Sequence, residues 1–264
     1  MAYEKEQMDV NAFQHKLKDV QAVSQPMICT PLIGQTKEEL FHEVEVLVEK
    51  KPDVIEWRAD FFTHLNDKEQ VIETLKGMVE KANKIPFLFT IRSEKEGGES
   101  ISLSEEEKVS LLVELCSTQL VDAIDYELMH DVTHMQQVSQ AAKRNGITLI
   151  VSYHDFHRTP EVDRLVQIFT NAESVGADIA KIAVMPHSYE DALKLLSATN
   201  YAQKRLSIPV ISMAMGEHGA FTRMVGGLFG SVMTFAVGKE SSAPGQVAIQ
   251  DLNTVLSVVF SKNK

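Results

Sequence analysis

Cysteine and tryptophan are the scarcest residues in this chain of 264 residues, which has two Cys and one Trp. Cys29 and Cys116 are too few for the disulfide framework of a small secreted domain or for a cysteine-rich metal site. Both lie in apolar segments, as the buried thiols of proteins in a reducing compartment commonly do. We therefore expect a cytoplasmic protein without disulfides.

Basic residues are also in short supply, because 26 Lys and Arg stand against 37 Asp and Glu, for a formal net charge of −11. This balance argues against nucleic acid or an anionic membrane as a partner, although a local pocket can still bind a small anion. The uncharged stretch 224–238 is too short and too rich in glycine to span a bilayer, and residues 1–25 contain no apolar run of the secretory type. We expect a soluble protein that acts on a small molecule.

Apolar strand-like runs alternate with amphipathic helical patterns eight times from residue 26 onward. Strands are predicted near 27–34, 54–58, 87–92, 120–127, 148–153, 178–184, 210–215 and 232–237. Helices are predicted near 37–50, 68–81, 104–116, 131–144, 160–175, 189–203, 220–228 and 246–260. Eight strand–helix pairs predict a parallel sheet that closes into one (β/α)8 TIM barrel, a fold whose typical length is about 250 residues.

An open, doubly wound sheet is the alternative fold. The turn after the first predicted strand, PLIGQTKEE, has one glycine where a dinucleotide-binding turn has three, so this alternative is weaker. We expect a single barrel domain over residues 1–264. Residues 1–25 fall outside the alternation and are predicted to form an N-terminal extension, either a hairpin or a plug that closes the bottom of the barrel.

A lysine lies in the middle of the sixth predicted strand, whose sequence is GADIAKIAVMP. An ammonium group is costly to bury in apolar surroundings. Lys181 therefore either reaches water at the end of its strand or is held uncharged as a nucleophilic amine. The residues that the fold places around Lys181 decide between these alternatives.

The reactive groups of a barrel lie at the carboxyl ends of its strands, and here most strands end in polar residues. The candidates, in chain order, are Glu56, Arg58, Arg92, Glu96, Asp125, Glu127, His154, Met213, Met215, Arg223, Ser242 and Gln246. Singly, each has a structural explanation as a rim ion pair, a hydrogen-bonded histidine, a core methionine or a solvated side chain. Together with Lys181 they converge on one end of the barrel, where apolar side chains would serve stability better.

A buried lysine amine near arginines and an imidazole is suited to forming an imine with a ketone. The iminium acidifies the neighbouring C–H, so that His154 can take its proton and pass it to a leaving hydroxyl. We hypothesise that Glu96 orients the His154 ring. The nine histidines lack metal-ligand spacing, and we expect no metal. Loop 241–246 contains Pro244 and Gly245 and is predicted to be a lid over a polyhydroxylated ligand.

Five motifs, in this order, resemble the type I 3-dehydroquinate dehydratases, the Schiff-base enzymes of the shikimate pathway. They are EWRAD at 56–60, TIRSEKEGG at 90–98, SYHDF at 152–156, KIAVMP at 181–186 and SMAMGEHGAFTR at 212–223. The resemblance runs from about residue 28 to about residue 250. It implies a cofactor-free syn elimination of water from 3-dehydroquinate to give 3-dehydroshikimate, a step of aromatic amino acid biosynthesis.

The resemblance also implies a role for each candidate residue. Lys181 would form the imine, and His154 would be the general base and acid. Arg223 would bind the ring carboxylate of the substrate. The residues that would surround the ring, its hydroxyls and the lid are Glu56, Arg58, Arg92, Met213, Met215, Ser242 and Gln246. A homodimer is implied in the same way, whereas residues 1–34 match less clearly and contribute no site residue.

Two other functions remain open at this point. A class I aldolase or transaldolase would use the same lysine chemistry to break a C–C bond and would hold a phosphate near Gly226 and Gly227. A barrel that has lost catalysis could instead serve as a binding module. Arg223 and Gln246 fit a carboxylated polyol better than a sugar phosphate, so the dehydratase is the favoured function.

Overall fold

Strands and helices alternate along a computed structural model that describes residues 12–23, 25–239 and 242–261. The strands are β1 (Met27–Leu32), β2 (Val54–Arg58), β3 (Phe87–Thr90), β4 (Ala123–Glu127), β5 (Thr148–Asp155), β6 (Ile179–Val184), β7 (Val210–Ala214), β8 (Met233–Val237) and β9 (Val247–Ala248). The helices are α1 (Ala12–Val23), α2 (Lys37–Lys50), α3 (Lys68–Lys81), α4 (Glu105–Thr118), α5 (Val132–Asn145), α6 (Val162–Ser174), α7 (Tyr189–Arg205), α8 (Gly216–Gly219), α9 (Thr222–Val225) and α10 (Ile249–Val259). None of the helices in these ranges is long and apolar enough to cross a membrane.

The strands form one parallel sheet in the order β7-β6-β5-β4-β3-β2-β1-β8-β9. Val210 of β7 forms a parallel bridge with Ser231, two residues before β8. Beside this bridge, the Val232 N–H donates a hydrogen bond of 2.9 Å to the Val210 carbonyl. The first eight strands therefore close on themselves, and the predicted (β/α)8 barrel is confirmed.

Helix starts follow the polar residues that precede each amphipathic pattern. Thr36 caps α2 and Ser104 caps α4, each through a capping box in which a glutamate three residues later bonds back to the cap. Acidic residues in the first turn add a favourable interaction with the helix dipole. The caps fix where each helix leaves the top of the barrel, and so they set the lengths of the loops that carry the polar residues.

Alternate residues of each strand divide the core into two layers. Outward residues such as Trp57 and Phe89 pack under the helices, with their rings edge to face and their centroids 5.3 Å apart. Inward residues such as Leu88 and Ile150 are fully buried and fill the lower part of the barrel. The next inward residue toward the carboxyl end of these strands is polar. Thr90 follows Leu88 and Ser152 follows Ile150, and both are fully buried. The barrel is thus apolar at the bottom and polar at the top.

Helix α1 closes the bottom of the barrel, where the sequence left a hairpin or a plug open. Phe13 is fully buried and belongs to the same apolar cluster as the inward residues at the strand starts. Lys16 forms an ion pair of 2.9 Å with Asp53. The Asp53 carboxylate also accepts the Ile28 N–H, which ties the helix to β1. The hairpin is therefore wrong for residues 12–23, and residues 1–11 lie outside the described part.

Two further helix predictions need correction. The helix predicted at 220–228 consists of α9 and a 3-10 turn at Gly226–Phe229. A Cβ on Gly227 would lie 2.6 Å from Pro26 and 2.7 Å from the Phe260 ring, so the chain is closely packed there. The last helix begins at Ile249 rather than at 246, because Val247 and Ala248 pair with β8 as the short strand β9. Both differences lie next to the predicted lid.

Candidate active site

One cavity of about 50 Å³ at the carboxyl ends of the strands gathers the predicted site residues. It is lined by eleven of the thirteen candidates: Glu56, Arg58, Arg92, Glu96, His154, Lys181, Met213, Met215, Arg223, Ser242 and Gln246. The other two, Asp125 and Glu127, are not part of its lining but accept hydrogen bonds from Arg92. Parallel register explains part of this convergence, because Arg58 is paired with Thr90, Thr90 with Asp125, and Ser152 with Lys181. Ser241, the first residue of the predicted lid, lies outside the described residues.

Lys181 points into this cavity and not into bulk water, since its side chain is only 4% exposed. Its Nζ donates a hydrogen bond of 3.0 Å to Asp125 Oδ2 and lies 3.8 Å from Glu56 Oε1. The Phe235 ring is 4.6 Å from Nζ and forms a cation–π contact. The alternative of a solvent-facing lysine is therefore wrong. The charged groups in direct contact with the amine are carboxylates, although the sequence predicts arginines around it.

Arg92 holds the carboxylates of β4 in place. Its guanidinium donates to Asp125 at 2.9 Å, to Glu127 at 3.0 Å and to the Ser152 hydroxyl at 2.9 Å. Burial alone would raise the pKa of Asp125, but the Arg92 and Lys181 cations outweigh it and hold that pKa well below its usual range. Burial would likewise lower the pKa of Arg92, but Asp125 and Glu127 outweigh it and raise that pKa. These groups stabilise one another as charged species away from water.

His154 is oriented by Glu96. Its Nδ1 lies 2.8 Å from Glu96 Oε2, and the same oxygen accepts the His154 backbone N–H at 3.0 Å. Burial and the cations of Arg92 and Lys181 lower the pKa of His154 well below its usual value, which favours the neutral ring. Burial and the Glu127 carboxylate raise the pKa of Glu96 to about 8. When the ring proton lies on Nδ1, Nε2 keeps its lone pair and can act as a base.

Two glycines shape the loop that carries Glu96. Gly97 has φ +83, and a Cβ there would lie 2.2 Å from the Phe156 ring. A Cβ on Gly98 would lie 2.1 Å from the Arg92 carbonyl oxygen. The chain can therefore turn back on itself directly after the 3-10 turn Glu94–Glu96 only because both residues lack a side chain. This turn keeps Glu96 against the His154 ring.

Arg223 holds the lid and offers an anion-binding guanidinium. It donates to the carbonyls of Gly245 at 3.1 Å and Pro244 at 3.3 Å. Within the described residues no carboxylate is paired with Arg223, which is only 2% exposed, and burial lowers its pKa to about 10. A buried guanidinium that contacts carbonyls alone favours an anionic ligand. The lid itself is held by mutual hydrogen bonds between Ser242 and Gln246, of 3.0 and 3.1 Å.

The remaining predicted residues form the walls of the cavity. Arg58 is fixed by a two-pronged contact with Asp60, at 2.9 and 2.7 Å. Glu56 accepts the Thr90 hydroxyl at 2.9 Å. Met213, in β7, and Met215, directly after β7, are buried and give the cavity an apolar surface. The walls thus combine fixed charges with one apolar face, as a pocket for a polar ring requires.

The sequence places Asp125 among the polar strand ends without giving it a role, and it does not identify Phe235 as part of this site. Asp125 and Glu127 are two residues apart on one strand and therefore share a face, and this spacing at a strand end is the signal that points to a common role. Phe235 belongs to the apolar run of β8 and gives no comparable signal. The described residues contain no group of three or more His, Cys, Asp or Glu able to hold a metal ion.

Comparison with known proteins identifies the relatives of this chain. The family described as Type I 3-dehydroquinase matches residues 28–263. A 3-dehydroquinate dehydratase of Geobacillus sp. (strain WCH70) is 51% identical over 235 residues, which cover 89% of this chain and 90% of the relative. The crystal structure of 3-dehydroquinate dehydratase from Geobacillus kaustophilus HTA426 superposes with a TM-score of 0.88 at 46% identity, covering 90% of this chain and 93% of that one.

A further solved structure resembles this chain at lower identity. It is a type I 3-dehydroquinate dehydratase from Clostridium difficile with covalently modified comenic acid, and it is 38% identical with a TM-score of 0.87. The superposition covers 90% of this chain and 93% of that chain. Likeness over nearly the full length therefore extends from sequence to three-dimensional structure.

Replacing Arg92 with methionine should lower the free energy of unfolding by about 3–5 kcal/mol at neutral pH, because it leaves buried carboxylates without their cation. Asp125 and Glu127 have lowered pKa values in the folded protein. The stability that they contribute is present above their unfolded pKa values of about 4 and is lost as the pH falls. The loss caused by Arg92→Met should therefore shrink in acid, as measured by urea unfolding at several pH values.

Lys37→Met is the matched control, because Lys37 pairs with Glu73 at the surface, where these side chains are 37% and 70% exposed. It should change stability little at any pH. Equal losses for Arg92→Met and Lys37→Met would contradict the role given to the buried network.

Proposed function

This chain belongs to the type I 3-dehydroquinase family, and from that membership we propose that it is a 3-dehydroquinate dehydratase of the shikimate pathway. The reaction removes one water from 3-dehydroquinate to give 3-dehydroshikimate, within aromatic amino acid biosynthesis. The observation that supports this most strongly is the buried Lys181 amine in one cavity with the Glu96-oriented imidazole of His154. No cofactor is proposed, since these two groups supply the chemistry.

Lys181 begins the reaction as the nucleophile. A neighbouring carboxylate takes one proton from the ammonium, and the free amine adds to the substrate ketone. The carboxylate returns that proton to the hydroxyl of the adduct, which leaves as water and gives an iminium bound to Nζ. The proton that leaves the amine has carboxylate acceptors close by, with Glu56 Oε1 at 3.8 Å. The iminium is a buried cation, and the Asp125 carboxylate at 3.0 Å from Nζ offsets its charge.

His154 then carries out the elimination. Its neutral ring takes a proton from the carbon next to the iminium, and the electron pair of that C–H bond enters the conjugated nitrogen system. The resulting imidazolium is stabilised by Glu96 through Nδ1 and returns the proton to the hydroxyl one carbon further on, which leaves as water. Hydrolysis of the imine uses one water and restores the Lys181 amine. The net change is the loss of one water molecule.

Arg223 orients the substrate by binding its carboxylate. The guanidinium is desolvated and contacts only carbonyls among the described residues, so an anionic ligand compensates its charge. Arg58 and Arg92 add positive charge to the cavity lining, and Glu56 can bind substrate hydroxyls there. Met213 and Met215 pack against the ring as an apolar wall.

The lid of residues 242–246 must move for the substrate to enter. A cavity of about 50 Å³ holds a few water molecules and is far smaller than the roughly 300–1,000 Å³ of typical ligand pockets. Ser242 and Gln246 bond to each other, and these bonds can be exchanged for bonds to substrate hydroxyls. Closure then excludes water from the iminium and protects it from early hydrolysis.

The compartment, oligomeric state, domain organisation and partners of the protein are also proposals. The two described cysteines, Cys29 and Cys116, are free and buried, which suits a reducing cytoplasm. A homodimer follows from the family resemblance, and one barrel domain over the chain, with its first residues as an extension, is the simplest organisation. The charge of −11 fits a small-molecule enzyme without a nucleic-acid or membrane partner.

Lys181→Ala should abolish both turnover and the adduct that borohydride traps with 3-dehydroquinate, lowering kcat on the order of 10³-fold or more. His154→Ala should still yield the trapped adduct while losing turnover, because it removes the proton carrier and leaves the nucleophile. Mass spectrometry of the trapped protein locates the adduct. Lys204→Ala, at an exposed position of α7, is the control and should behave as wild type.

An adduct that persists in Lys181→Ala would refute the assignment of the nucleophile. Trapping with sugar phosphates but not with 3-dehydroquinate would point to an aldolase or transaldolase. A wild-type protein that forms no adduct with either would point to a binding module.

Glu96→Gln should lower the plateau of kcat/KM by roughly 10²-fold and move its acid limb to lower pH. The Glu96–His154 pair takes up its proton near the raised pKa of Glu96, about 8, whereas without the carboxyl group the limb follows the histidine alone, whose pKa is lowered by burial and nearby cations. The ring also loses the partner that fixes its proton on Nδ1. A pH–rate profile of both proteins measures the shift, and identical profiles would exclude this role for Glu96.

A further inference from the structure

His130 lies outside the cavity and contacts Glu127, a buried carboxylate that is bound to the cavity residue Arg92. It follows β4 in the turn before α5, and its ring is stacked on Tyr126 with the centroids 4.6 Å apart. Nε2 lies 3.0 Å from Glu127 Oε2, and Nδ1 lies 3.4 Å from Glu105 Oε1. With its side chain 18% exposed, the imidazole bridges a carboxylate of α4 and a carboxylate of the barrel rim.

Glu127 connects His130 to both reactive arms of the site. Its other oxygen, Oε1, accepts Arg92 Nη1 at 3.0 Å and the Ser93 N–H at 2.8 Å. Arg92 leads onward to Asp125 at 2.9 Å, and Asp125 leads to the Lys181 amine at 3.0 Å.

Ser93 immediately precedes the 3-10 turn Glu94–Glu96, which carries the carboxylate bound to His154. The orientation of one carboxylate, Glu127, therefore affects the position of both the nucleophile and the base.

Charge explains why Glu127 needs a second partner. Burial would raise its pKa, but contact with His130 and the Arg92 cation outweigh burial and hold that pKa well below its usual range. The Glu127 side chain is only 4% exposed, so a loss of the contact at Oε2 could not be made good by bulk water. The carboxylate would then turn, and Arg92 and Ser93 would have to follow it.

We propose that His130 is a positioning residue for the dehydration: it fixes Glu127, and through Glu127 it fixes the Lys181 amine and the His154 imidazole at their working separation. This inference rests on the proposed function and adds to it a residue that does not line the cavity. Glu105, which also accepts the Tyr126 hydroxyl at 2.8 Å and contacts Lys108 at 3.1 Å, holds the outer edge of the ring.

The test compares His130→Leu with His130→Gln. Leucine fills the space without a donor, and kcat should fall about tenfold while KM changes less than about threefold, because misplaced groups slow the chemistry more than they weaken binding. Glutamine can place an amide N–H near Glu127 Oε2 and should recover kcat to within about threefold of wild type. The rate of borohydride trapping at Lys181 should follow kcat in both variants.

Tyr126→Phe is the matched control. It removes the hydrogen bond from the Tyr126 hydroxyl to Glu105, but it keeps the aromatic ring that stacks on His130. The contact between His130 and Glu127 is also kept, so kcat should stay near wild type. A loss in Tyr126→Phe equal to that in His130→Leu would overturn the inference, because packing of the turn would then explain both. Wild-type kcat in His130→Leu, or failure of glutamine to restore activity, would also overturn it.

The outcome separates this inference from the proposed function. Wild-type protein that traps 3-dehydroquinate at Lys181 upholds the function whatever the His130 variants do. Wild-type protein without trapping or turnover removes the function, and the role of His130 falls with it.

Discussion

The structure depends on keeping several charges together in a place that bulk water does not reach. Arg92, Asp125, Glu127 and Lys181 are each 7% exposed or less, and each contacts at least one opposite charge. Isolated burial of any one of them would cost several kcal/mol. The barrel makes burial tolerable because parallel strands bring donors and acceptors from β3, β4 and β6 to one height. An apolar filling would suit stability better, so the charged layer is explained by chemistry and not by folding.

The same layer of charged residues supplies the counter-charge that the proposed reaction needs. In the proposed reaction the amine starts against Asp125 and the iminium forms on the same nitrogen, so the counter-charge need not move. Preorganisation of this kind avoids the reorganisation that water would require. The Glu96–His154 pair works beside it, and the glycines after Glu96 keep that pair in register by allowing the loop to turn tightly. In the proposed reaction these groups stay in place, and only the lid opens and closes.

Much of the fold could be predicted from the sequence because the barrel is built from a repeated local unit. Each β-strand followed by an amphipathic helix is visible in the pattern of apolar residues, and eight of them specify closure. The segment 12–23 was harder, because a short amphipathic helix gains its stability from Phe13 packing under the barrel and not from a local signal. The single helix predicted after β7 is wrong because the backbone packs closely against its neighbours at Gly219 and Gly227, and the segment is divided into short helical turns.

The candidate site, too, could be predicted only in part from the sequence. Residues on one strand could be grouped by their alternation, and motifs singled out Lys181, His154 and Arg223 as candidates. Contacts across strands could not be read, so Asp125 remained a possible rim acid although it holds the amine. The Arg223 contacts to Pro244 and Gly245 use backbone carbonyls, which every residue possesses and no sequence pattern marks. His130 lies in a turn, where periodicity gives no information about its neighbours.

A crystal structure of the protein soaked with 3-dehydroquinate and reduced with borohydride tests the central claim most directly. The account predicts continuous electron density from Lys181 Nζ to a ring carbon, with the ligand carboxylate against the Arg223 guanidinium and His154 Nε2 facing the adjacent carbon. Ligand density that is separate from Nζ, or that joins a different side chain, would contradict it.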